Sequence, residues 1–163
     1  MRKTILLLAA GLALAGCARI HPEADPVSRG EDKEVSQKSE VLTCNGKSGE
    51  ISFSATGDDV SSTRHVFYRT LEELNIESDP EAAVAAINKE LQEEYGKYKG
   101  LDVSAELADD QVRYTVTVDF KTADMDALEK AGVLEPGQKE SQYVSLSKTR
   151  QQFESDGYAC TIK

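Results

Sequence analysis

The stretch LDVSAELA (Leu101–Ala108), the pair Asp109-Asp110 and the stretch QVRYTVTVDF (Gln111–Phe120) decide the fold. Leu101, Val103, Ala105 and Leu107 alternate with Asp102, Ser104 and Glu106. Val112, Tyr114, Val116, Val118 and Phe120 alternate with Gln111, Arg113, Thr115, Thr117 and Asp119. Strand side chains point to opposite faces in turn, so each run has one apolar and one polar side. Two such runs joined by a two-residue turn form an antiparallel hairpin with one covered face and one wet face.

The flanking segments extend this pattern. On the N-terminal side, Asp79-Pro80-Glu81 reads as a helix start: Asp79 caps free amides, Pro80 suits the first position and Glu81 complements the dipole. Val84, Ile87, Leu91 and Tyr95 then follow at helical spacing, and the helix stops between Gly96 and Gly100. Before it come a short strand over 39–44 and a half-buried strand in which Ile51, Phe53 and Ala55 alternate with polar residues. A Gly57-Asp58-Asp59 turn and a longer strand over 60–71 follow. On the C-terminal side, Asp124 caps a short helix through Ala131, and Gly132 stops it with Val133 against Leu128. Leu134 to Gln142 reads as loop. A last helix runs from Leu146 to Asp156, with Gly157 as its stop and Tyr158 against Phe153, and Tyr158–Lys163 is a final strand. The fold class expected is α+β: an antiparallel β-sheet with helices packed on one face, in two layers.

The first residues carry a different message. Met1-Arg2-Lys3 is cationic, Ile5 to Leu14 is apolar, and Leu14-Ala15-Gly16-Cys17 closes the run with small residues and a cysteine. That order is a secretory signal, and its end resembles a bacterial lipobox. The apolar run is too short for a membrane-spanning helix, which needs about 20 residues. The expectation is a signal peptide over residues 1–16, with Cys17 acylated as the first mature residue. Residues 17–38, with Pro22, Pro26, Gly30 and a mixed charge run, read as the lipidated cysteine and a tether. Residues 39–163 form one domain. The expected location is the cell envelope, on the outer membrane of a Gram-negative host or the cell membrane of a Gram-positive one, facing away from the cytoplasm.

Without residues 1–16 the 19 cations become 17 against 29 acids, a net charge of −12. Such a surface repels nucleic acid and anionic headgroups, and it also serves plain solubility. With Cys17 lipidated, Cys44 and Cys160 remain. In an oxidising compartment an even remainder suggests a disulfide between the domain's first and last strands. The chain-entropy account gives about 4.7 kcal/mol for a loop of order 100 residues. The alternative is two buried free thiols.

The search for reaction chemistry finds no nucleophilic elbow, no Ser-x-x-Lys and no phosphate loop. His21 falls in the tether, and His65 reads as a surface or edge residue without ligand partners. Asp58-Asp59 and Asp109-Asp110 sit at turns. Asp119, Asp124 and Asp126 gather at one strand-to-helix junction but lack the spacing of a calcium loop. Six tyrosines, Tyr68, Tyr95, Tyr98, Tyr114, Tyr143 and Tyr158, either line a groove or serve as core and rim.

YGKYKGL from Tyr95, VRYTVTVDF from Val112, LEKAG from Leu128 and FESDGY from Phe153 resemble the YehR-like bacterial lipoproteins. With the lipobox and the Gly57-Asp-Asp-Val turn, the likeness covers most of the mature chain. It implies a fold and no activity, since that family is uncharacterised. The functional expectation is a non-catalytic, membrane-anchored module that binds a small molecule or a protein, monomeric, with no cofactor, no metal and no nucleic-acid partner. The alternative is an acidic inhibitor of an exported cationic enzyme such as a lysozyme.

Overall fold

The structure, a computed structural model, describes residues 38–47, 49–134 and 144–163. Six strands and three helices follow in the order β1 (Ser39–Gly46), β2 (Gly49–Thr56), β3 (Asp59–Thr70), α1 (Pro80–Tyr95), β4 (Leu101–Ala108), β5 (Gln111–Asp119), α2 (Met125–Lys130), α3 (Leu146–Ser155) and β6 (Ala159–Ile162). The strands form one open antiparallel sheet in the order β4-β5-β3-β2-β1-β6. The chain is thus an α+β domain, as its patterning predicts.

Register explains the core. Leu42 faces Phe53, Phe53 faces Thr63, Thr63 faces Val118 and Val118 faces Leu101 across five strands. The next row joins Cys160, Cys44, Ile51, His65, Val116 and Val103. The side chains of both rows are buried apart from Cys160, which is half-buried. They define an inner face, and the alternate residues, such as Thr43, Ser52, Arg64, Thr117 and Asp102, form the polar outer face.

Local chemistry sets the helices. The Asp79 side chain accepts from the Ala82 amide and Pro80 opens α1. Asp124 accepts from Ala127 at the start of α2, and Ser145 accepts from Lys148 at the start of α3. Gly132 and Gly157 end the last two helices with φ of 72° and 87°. Val133 then donates to the Leu128 carbonyl and Tyr158 to the Phe153 carbonyl, both at 2.9 Å. Val84 and Leu91 of α1 and Leu146 and Phe153 of α3 join the core.

α1 runs along the outermost strand, β4. Its Asn88 side chain accepts from the Ala105 amide at 3.0 Å, and Gln92 donates to the Val103 carbonyl. These backbone groups point away from β5, so α1 occupies a sheet edge that would otherwise be bare. At the far end, Cys44 and Cys160 stand directly opposite on β1 and β6 and are joined by a disulfide. The loop it closes spans 116 residues.

Candidate functional site

β3 is the third strand from the β4 edge and carries the most polar inner row of the sheet. Thr63, His65, Phe67 and Arg69 share the inner face, two residues apart. His65 is buried, not superficial as its sequence neighbours suggest. The reason is register: it faces Ile51 on β2 and Val116 on β5, both core residues. Burial holds its imidazole below the usual histidine range.

An aromatic cluster organises this row. The Phe67 ring lies 5.1 Å from that of His65 and stacks on Tyr114, its partner on β5, also at 5.1 Å with planes 9° apart. The Arg69 guanidinium sits 5.8 Å from the Phe67 ring centre. Burial pushes the Tyr114 hydroxyl above the usual tyrosine range, while the Arg69 charge pulls it down. Arg69 is half-buried and forms the most accessible end of the row.

Three polar atoms of this row and its β5 neighbour are buried without a hydrogen-bond partner among the described residues: Thr63 Oγ1, His65 Nε2 and Tyr114 OH. Thr149 Oγ1 on α3 is a fourth. It lies one turn before Phe153, whose ring meets Phe53 at 5.3 Å, and Phe53 is the cross-strand neighbour of Thr63. Buried polar atoms in proteins are nearly always satisfied, so this concentration needs a reason. The row is equipped to accept and donate hydrogen bonds beside one positive charge.

The other singled-out residues have local roles. Asp119 accepts from the Lys121 amide and the Thr122 hydroxyl, and Asp124 caps α2. No cluster of His, Cys, Asp and Glu suited to a metal occurs among the described residues. Asp58 bridges two distant segments: it accepts from the Ser145 hydroxyl at 2.6 Å and the Ser147 amide at 2.7 Å, tying the β2–β3 turn to the start of α3. The tyrosines do not converge. Tyr68 is exposed, beside Arg113 and Glu106 on the outer face, while Tyr114 is buried on the inner one. Cys17, His21, Tyr143 and the loop over 135–142 lie outside the described residues.

Sequence reasoning missed the β3 row. The signal was present in the spacing of Thr63, His65, Phe67 and Arg69. It was hidden because Val66 interrupts the alternation as a buried residue on the opposite face.

The molecule is of the class of small α+β domains built on an open antiparallel sheet with one polar face and one buried face. The chain belongs to the family described as protein of unknown function DUF1307, whose model matches residues 37–159. It is similar in fold to the Escherichia coli YehR protein, solved by NMR, at 15% identity and a TM-score of 0.54; the match covers 77% of this chain and 91% of that one. It is also similar to a Streptococcus pneumoniae protein solved by NMR, at 13% identity and a TM-score of 0.57, covering 88% and 96% of the two chains. Comparison with curated proteins finds no match.

Proposed function

We propose that the chain is a lipid-anchored envelope protein whose folded domain is a non-catalytic binding module. The observation that carries the binding part is the β3 row with its β5 neighbour, where the Thr63, His65 and Tyr114 polar atoms are held in the core without partners among the described residues. A domain evolved only for stability would place apolar residues there, because an unsatisfied buried group costs about 1–3 kcal/mol. The contact of Phe153 with Phe53, and the place of Val84 and Leu91 of α1 in the same core, support a two-layer arrangement with the helices over the inner face. In that arrangement the row lies between sheet and helices.

The anchoring part rests on Leu14-Ala15-Gly16-Cys17 behind a cationic, then apolar, start. Among the described residues no helix is long and apolar enough to cross a membrane. An acyl anchor would hold such a domain at the surface, with two or more chains giving stable residence.

Two measurements test these parts separately. Cells expressing the full chain and its Cys17→Ser variant are labelled with tritiated palmitate and fractionated. Label and membrane residence should both vanish in the variant; an unlabelled wild-type chain refutes the anchor. For binding, the melting midpoint of the purified full chain is followed with low- and high-molecular-weight fractions of envelope extract. A ligand raises the midpoint by mass action, and a midpoint unmoved by every fraction counts against a binding module.

A further inference from the structure

The inner-face cluster on β3 and β5 points to the kind of molecule it takes. Around the Phe67 ring stand three side chains with polar heads: Arg69, whose guanidinium lies over the ring, and Tyr114 and His65, whose rings contact it. Among the described residues Arg69 has no carboxylate in ion-pair range. The two other heads are buried and lack hydrogen-bond partners there. One fixed cation beside two neutral hydrogen-bonding groups is suited to a single negative charge with directional acceptors. A doubly charged phosphate would leave one charge uncompensated next to buried neutral groups, which is costly. An uncharged ligand would leave the guanidinium unused.

We infer that Arg69, Tyr114 and His65 form a binding site for a small monocarboxylate. Its oxygens take the guanidinium and phenol donors, and its apolar part lies against the stacked Phe67 and Tyr114 rings. Arg69, half-buried, is the most accessible member of the set, and His65 is buried. This assignment rests on the reading of the domain as a binding module and names its ligand class.

The full chain is titrated with carboxyl-¹³C butyrate and, separately, with carboxyl-¹³C benzoate, following the carboxyl resonance. Saturable binding with one site per chain is expected for at least one probe. Arg69→Gln should weaken it more than tenfold. Tyr114→Phe keeps the stacked ring and loses only the hydroxyl, so it should weaken binding roughly tenfold, as expected for a hydrogen bond to a charged group. Arg64→Gln, on the outer face, should leave affinity unchanged and so controls for diffuse attraction to cations. Melting midpoints near wild type establish that the variants fold. Failure of both probes to bind, or equal affinity in wild type, Arg69→Gln and Tyr114→Phe, overturns the proposal. If the probes fail while an envelope fraction still raises the melting midpoint, the binding module stands and the ligand class is wrong.

Discussion

His65 shows how much a single position depends on its neighbours. In the sequence it stands between Arg64 and Val66 and looks superficial; in the sheet it lies between Ile51 and Val116. Above pH 6.5, its usual value, the ring is neutral in folded and unfolded chains alike. Below that, the unfolded chain takes up a proton that the buried ring resists. Stability therefore falls as pH drops through the window between 6.5 and the lower folded value. His65→Gln should shrink the difference between urea midpoints at about pH 7.5 and about pH 5.5; an unchanged difference refutes the assignment. A second residue-scale case is Gly46. A Cβ there would lie 2.3 Å from the Tyr158 ring, which is itself held edge-on against Phe153. Gly46→Ala should cost about 1–3 kcal/mol by overpacking, read from chemical denaturation. Neither neighbourhood is legible in one dimension, because both depend on strands far apart in the chain.

At the scale of elements the sequence was far more legible. The β4–β5 hairpin, the Asp79 and Asp124 caps and the two glycine stops all appear where local patterning places them. These features are decided within a few residues, by alternation and by the unsatisfied amides of a helix start. What local patterning did not show is how elements are fastened together. Asn88 and Gln92 flank the apolar stripe of α1 and carry no motif, yet both bond to the β4 backbone. Asn88→Ala should lower stability by about 1 kcal/mol and speed hydrogen exchange at the Ala105 amide. Exchange there at the wild-type rate would show that the contact does not protect the strand. Asp58 likewise reads as a turn residue, and its link to Ser145 and Ser147 is invisible until the fold closes. Asp58→Ala should cost about 1–2 kcal/mol, the usual range for a lost helix cap. A thermal midpoint equal to wild type would remove Asp58 from that role.

For the whole molecule, the disulfide was the one long-range contact the sequence disclosed, through cysteine arithmetic and the expectation of export rather than spacing. It ties a four-residue strand to the sheet across a 116-residue separation. Replacing both Cys44 and Cys160 by Ala should lower stability by about 2–5 kcal/mol, measured against the oxidised wild type in urea. Equal midpoints for the oxidised wild type and the double variant would show that β6 is held by its ladder and by Phe153 and Tyr158 alone. The candidate site, in contrast, was not foreseen at all. It is assembled from one strand's inner row and a neighbour's tyrosine, and it contains no motif.

The helix seated on β4 also limits how these molecules can meet. Open strand borders invite end-to-end joining between copies. Here one border is already filled by the Asn88 and Gln92 side chains, so among the described residues β6 is the border left to offer backbone to a stranger. Two copies pairing through β6 would each turn a closed border outward, and a third would find nowhere to attach. Pairing of that kind would close at two copies rather than extend into a ribbon.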